Sequence, residues 1–154
     1  MHDSVTVSVA ASPDRVWSLV SDVTQIGRYS PETFEAEWLD GATGPAVGAR
    51  FRGHVRRNGR GPVYWTTCVV VACEPDREFA FTVGEGDKAL NTWRYELAAT
   101  AAGTDVTESF TLKDIASLRL YWKVFGRWRG RTNRNGMRET LERVRAVAEA
   151  PDPA

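Results

Sequence analysis

Period-two alternation opens the chain. In Ser4–Ala10, Val5, Val7 and Val9 fall on one side and Thr6 and Ser8 on the other, the pattern of a half-buried strand. The period then lengthens. Ser12 stands where a helix N-cap is expected, Pro13 takes the first helical position and Asp14 the first turn. Val16, Trp17, Leu19 and Val20 make the apolar stripe of a short helix. Asp22 can cap a second short segment running through Ile26 and Tyr29, and Pro31 stops it, because the residue before a proline disfavours helix.

Alternation returns after Pro31. Phe34, Ala36 and Trp38 interleave with glutamates, and Gly41–Pro45 reads as a loop. In Ala49–Arg57, Phe51, Gly53 and Val55 face one way while Arg50, Arg52, His54 and Arg56 face the other. Asn58–Pro62 has hairpin-turn chemistry. Val63–Cys73 is a long strand rich in β-branched residues. Its two faces, one with Tyr64 and Thr66 and the other with Trp65 and Thr67, do not differ enough in polarity to say which points inward. Glu78–Val83 puts Phe79, Phe81 and Val83 on one face, and Gly84–Asp87 is a turn. Asn91–Ala98 and Asp105–Lys113 form the last hairpin, with Ala102–Thr104 near its tip.

From about Ile115 to Glu149 the pattern is helical. Leu118, Trp122 and Phe125 begin an apolar stripe that Met137, Leu141, Val144 and Ala148 continue at a shifted angle. Gly126, Gly130 and Gly136 lie between, which predicts a kink or break. Arg119, Lys123, Arg127, Arg131, Arg134 and Arg138 recur every three or four residues as a basic stripe. It reads either as a solvated face or as a contact for an anionic partner. The expected organisation is one domain over residues 1–150 and a frayed tail over 151–154. Its class is α+β: about seven antiparallel strands, two short helices after the first strand, and one long C-terminal helix to cover one sheet face.

Composition narrows the function. A formal net charge of +0 argues against a general nucleic-acid binder. The longest apolar run, Cys68–Cys73, is too short to cross a bilayer, and no signal peptide is visible at the start. The odd spacing of Cys68 and Cys73 predicts opposite strand faces and no bridge, so a reduced cytoplasmic protein is expected. With His2 and His54 the only histidines, and no metal-ligand or phosphate-loop spacing, neither a metal site nor a cofactor is expected.

Several strings, taken in order, carry a resemblance. They are Ala11-Ser12-Pro13-Asp14-Arg15-Val16-Trp17, Tyr29-Ser30-Pro31-Glu32 and Trp93-Arg94-Tyr95-Glu96-Leu97. Gly103-Thr104-Asp105-Val106-Thr107-Glu108-Ser109 and Gly136-Met137-Arg138-Glu139-Thr140-Leu141-Glu142-Arg143 follow. With this element order the chain resembles the START/Bet v 1-like superfamily (SRPBCC), and within it the polyketide cyclase/dehydrase branch. The resemblance implies a helix-grip fold, in which a curved antiparallel sheet wraps the C-terminal helix around an apolar cavity. Such proteins include lipid carriers, metabolite binders and polyketide aromatase/cyclases. They share no single catalytic motif, so none is carried over to this chain.

Alternation then nominates inward side chains for a mostly apolar ligand site. Phe51, Phe79 and Phe81 come from the middle strands; Trp93, Tyr95, Glu108 and Phe110 come from the last hairpin. Trp17, Trp122 and Phe125 come from the helices. Trp17 and Tyr29 are either cavity walls or plain core. Folding about the hairpin tip brings Tyr95 roughly opposite Glu108. Glu108 sits between Val106 and Phe110 on an apolar face, where a carboxyl must be paired or protonated. It reads either as a ligand-facing acid, the catalytic candidate together with Tyr95, or as a carboxylate near the sheet end that reaches solvent or a loop amide. Arg52, Arg94 and His54 fall on the outer face, the arginines bridging to Glu96 and its neighbours. The expected function is binding of a hydrophobic or aromatic small molecule. The alternatives are a polyketide cyclase, aromatase or dehydratase, and an interaction module using the basic helix.

Overall fold

The computed structural model describes residues 2–56, 61–113 and 116–151, with the backbone alone for 116–132. Strand β1 (His2–Val9) leads into helix α1 (Pro13–Ser21) and a 3-10 helix, Val23–Arg28. Six strands follow: β2 (Thr33–Trp38), β3 (Arg50–Arg56), β4 (Val63–Glu74), β5 (Glu78–Val83), β6 (Asn91–Thr100) and β7 (Gly103–Leu112). Helix α2 (Ala116–Glu149) ends the fold. All strand pairs are antiparallel, in the order β1-β7-β6-β5-β4-β3-β2. Successive strands pair because tight turns join them; β1 alone crosses over to meet β7. The result is an open, curved seven-stranded sheet with the architecture expected from the alternation.

Sheet and helices meet on one face. Val5, Val7 and Val9 of β1 and Val106 of β7 pack with Met137, Leu141, Val144 and Ala148 of α2, all buried. The second apolar stripe of α2 is therefore the one seen seated on the sheet. Val16, Leu19 and Val20 of α1 join the same cluster. Asp22 caps the 3-10 helix as expected, its Oδ1 accepting from the Thr24 amide at 3.1 Å and the Thr24 hydroxyl at 2.6 Å. This short helix lies very close to β2. A Cβ on Gly27 would stand 2.2 Å from the Phe34 carbonyl oxygen, so only glycine permits the approach.

Three expectations are corrected. Ser12 is at the N-cap but its hydroxyl makes no capping bond; its carbonyl accepts from the Val16 amide at 3.2 Å. Helix α2 runs without a break through Gly126, Gly130 and Gly136, because the helix hydrogen-bond ladder tolerates glycine at a modest cost when neighbouring turns hold it. Cys68 and Cys73 share a face. In β4 the register slips between Val70 and Ala72, so two residues oppose Ala80 and the phase of alternation inverts. Cys68 pairs with Phe51 and Cys73 with Phe79, both inward, and both thiols are free. The same register settles the open face of β4. Tyr64, Thr66, Cys68 and Val70 look inward, and Trp65 pairs with outward His54. The turn expected at Asn58–Pro62 and the tail at 151–154 fall mostly outside the described residues, as do the side chains of Leu118, Trp122 and Phe125.

Candidate functional site

The inner sheet face is read best as rows of cross-strand partners, which stand side by side on one surface. The lowest row, Val7, Val106 and Leu97, is fully buried. The next is Val5, Glu108, Tyr95, Phe79 and Cys73. Above it come Asp3, Phe110, Trp93, Phe81 and Val70, and then Leu112, Asn91, Val83, Cys68 and Phe51. Each row lies about 7 Å from the next, two residues along a strand. Burial loosens along this direction: Trp93, Asn91, Val83 and Leu112 are only half-buried.

Aromatic rings make much of this wall. Trp38, Phe51 and Phe81 follow one another edge to face, with centroids 5.7 and 5.1 Å apart, and Phe79 lies 6.0 Å from Phe81. Trp93 and Phe110 face each other at 4.8 Å. Such a wall offers ring faces and edges to an apolar guest. Seven of the ten residues nominated for the site, Phe51, Phe79, Phe81, Trp93, Tyr95, Glu108 and Phe110, are thereby brought onto one surface. Trp17 packs half-buried against the same core from α1, and its indole Nε1 is buried without a partner among the described residues. Trp122 and Phe125 lie outside the described side chains.

Tyr95 and Glu108 are direct partners in the β6–β7 ladder, as the hairpin tip implied. The Tyr95 hydroxyl donates to Glu108 Oε1 at 3.0 Å, with Tyr95 5% and Glu108 3% exposed. That burial removes the reading in which Glu108 reaches solvent. Oε2 of the same carboxyl has no hydrogen-bond partner among the described residues. Burial penalises the charged form and raises the carboxyl to about 8, the Tyr95 hydrogen bond opposing the rise. Glu108 is therefore a neutral acid near pH 7. Tyr95 is pushed well above its ordinary value by burial and then by Glu108.

Sequence reasoning missed three polar neighbours. Tyr29, read from the sequence as either a cavity wall or plain core, is fully buried, and after burial itself the nearby Glu108 charge raises its hydroxyl further. That hydroxyl points toward the Val20 carbonyl at 3.5 Å. Asn91 carries a buried Oδ1 without a partner among the described residues; its two-residue spacing from Trp93 was the signal that places it inward. Asp3 shares the inner face and pairs with Arg134 of α2 at 2.9 Å, tying one member of the basic stripe to β1. Arg119, Lys123, Arg127 and Arg131 lie outside the described side chains, and Arg138 is exposed.

The outer face carries different chemistry. His54 stacks on Trp65 at 4.3 Å and bonds Glu35 at 2.6 Å, while the Arg52 guanidinium lies 4.5 Å from the Trp65 ring. Arg52 pairs with Glu37, and Arg94 pairs with Glu78 rather than Glu96, since Glu78 and Arg94 lie diagonally across the β5–β6 ladder. Burial also raises the Cys68 thiol, to about 12, which leaves it a core residue rather than a nucleophile. Among the described residues no three His, Cys, Asp or Glu side chains cluster as metal ligands, and no helix is long and apolar enough to cross a membrane.

The whole fold matches known structures. The Polyketide_cyc-like protein Cgl2372 of Corynebacterium glutamicum is 29% identical, with 96% of this chain and 91% of that one covered and a TM-score of 0.62. SA2116 of Staphylococcus aureus, a protein of unknown function, is 14% identical over 97% and 93% of the two chains, with a TM-score of 0.72. The di-domain aromatase/cyclase StfQ of the steffimycin biosynthetic pathway is 16% identical, covering 96% of this chain and 50% of that one, with a TM-score of 0.71. No curated protein matches the chain. Residues 2–149 match the family described as polyketide cyclase / dehydrase and lipid transport. A seven-stranded sheet gripping a C-terminal helix, with its aromatic wall turned inward, is thus the small-molecule-binding fold of the polyketide cyclase/dehydrase family, to which this chain belongs.

Proposed function

We propose that the protein binds a hydrophobic or aromatic small molecule, a lipid or polyketide-like metabolite, against the inner face of the sheet. One observation carries the reading: a carboxyl oxygen, Glu108 Oε2, is buried without a partner among the described residues, on the sheet face that carries the aromatic wall. An unsatisfied buried polar atom costs about 1–3 kcal/mol, and a guest that meets it recovers part of that cost. Trp17 Nε1 and Asn91 Oδ1 support the same reading, a donor and an acceptor that also lack partners among the described residues. The half-buried positions Trp93, Asn91, Val83 and Leu112, in two adjacent rows, are where the guest enters. Two free thiols suit a reducing, cytoplasmic setting.

The test is native mass spectrometry of freshly purified protein, followed by solvent extraction. A retained apolar molecule, displaced by excess aromatic ketone, is the expected result. A clean mass together with no uptake from a panel of lipids and polyphenols contradicts the reading.

A second reading has its own observation. A carboxylic acid raised to about 8 and hydrogen-bonded to a tyrosine is suited to general acid chemistry on a polyketide chain, as a cyclase, aromatase or dehydratase. Glu108→Gln separates the two. The substitution keeps a neutral side chain of the same shape, so binding survives, whereas a reaction needing proton transfer stops.

A further inference from the structure

Glu108 differs from the other unsatisfied polar groups because its hydrogen bonding is almost fully determined. Oε1 accepts the one proton of the Tyr95 hydroxyl at 3.0 Å. Tyr29, the other nearby hydroxyl, is directed at the Val20 carbonyl and not at Oε2. With Oε1 in the acceptor role, the acid proton belongs on Oε2, and there it has no acceptor among the described residues. A proton donor set among Val5, Tyr95, Val106 and Phe110 on the inner sheet face is completed by an oxygen brought in from outside.

The surroundings keep the carboxyl protonated. From β6 comes Tyr95, and from the 3-10 helix comes Tyr29, which also feels Asp22. From β1 the direct neighbour is Val5; Asp3, one inward position along, is already paired with Arg134 of α2. Among the described residues, these are the titratable and charged groups around the carboxyl, and none supplies it with a cation.

Resting on the ligand-binding reading above, we propose that Glu108 works as a neutral hydrogen-bond donor. Its Oε2 proton is accepted by the carbonyl oxygen of an uncharged ligand whose rings lie against Phe79, Phe81 and Trp93. Binding is then gated by proton loss. Once the carboxyl ionises, a negative oxygen faces the carbonyl oxygen, the hydrogen bond is lost and the two repel. Affinity is highest below the carboxyl's titration and falls through it, at about pH 8. A site built on an ionised carboxylate and a cationic ligand shows the opposite slope.

Two uncharged fluorescent dyes test this. Propionyl-dimethylaminonaphthalene is an aromatic ketone whose emission reports hydrogen bonding to its carbonyl. Phenylnaphthylamine has similar rings and no carbonyl. Each is titrated into the full chain at about pH 6 and about pH 9.5. The ketone is expected to bind roughly tenfold more weakly at the higher pH, with loss of its hydrogen-bonded emission, while the other dye is unchanged. Glu108→Gln should hold the ketone equally at both pH values. Glu108→Leu should bind it roughly tenfold more weakly at pH 6 and still take up phenylnaphthylamine, which also checks that the variant folds. The proposal is overturned if the ketone's affinity in the native protein does not change, if both dyes weaken together, or if Glu108→Gln retains the pH dependence. Failure of both dyes to bind removes the ligand-binding reading itself, and this one with it.

Discussion

At the residue scale, the chemistry rests on one hydrogen bond. Tyr95 donates to Glu108 and so favours the ionised form, against the larger effect of burial. Tyr95→Phe removes that bond and should raise the Glu108 titration above its present value of about 8, by roughly one unit. Carbon-detected NMR titration of the side-chain carboxyl measures this; a fall or no change contradicts the pairing. This pair was legible in the sequence because hairpin register follows from the position of the tip, and Ala102–Thr104 marks the tip clearly. The orphaned Oε2 was not legible, since it depends on what the neighbouring elements do not offer. Tyr29 was missed for a related reason. Nothing in its local pattern says that its ring comes within electrostatic reach of Glu108, more than seventy residues later in the chain.

At the scale of elements, alternation specified the strands, and pairing by successive hairpins specified their order. Among the details that escaped it, two are departures from regularity that bear on the site. One is the extra residue in β4, which turns Cys73 inward. A bulge adds no distinctive residue type to a β-branched run, so period-two counting passes through it. The other is the seating of the 3-10 helix on β2. There Gly27 matters by having no side chain, and the helix it seats leads directly to Tyr29. Gly27→Ala places a methyl against the Phe34 carbonyl and forces the 3-10 helix and β2 apart. The expected loss is about 1–3 kcal/mol of stability, read from urea unfolding. A second readout separates local from global damage: ligand or dye affinity should fall too, because Tyr29 and the wall move together. Unchanged stability would mean that the short helix packs elsewhere in solution.

At the scale of the whole molecule, the buried acid ties folding to pH. The Glu108 carboxyl titrates near 4.5 in its ordinary state and at about 8 in the fold. Between those values the native protein holds a proton that the unfolded chain has released. The contribution of this group is therefore fully present below about pH 4.5, declines as pH rises, and is gone above about pH 8. The full swing is of the order of a few kcal/mol and at most about 5. Urea midpoints of the native protein should fall relative to those of Glu108→Gln as pH rises from 5 to 8; parallel curves contradict a buried neutral acid. The proposed function makes the interior a site rather than a plain core, and this is the claim to test most directly. The rival location is the outer face, where Phe34 and Trp65 are 46% and 42% exposed and stand ready to stack on any flat ring. An isotope-filtered NOE spectrum of the labelled protein loaded with an unlabelled aromatic ketone distinguishes them. Cross-peaks from the ketone to Phe79, Tyr95, Trp93 and Phe110 are predicted, whereas cross-peaks confined to Phe34, His54 and Trp65 would contradict an interior binding site.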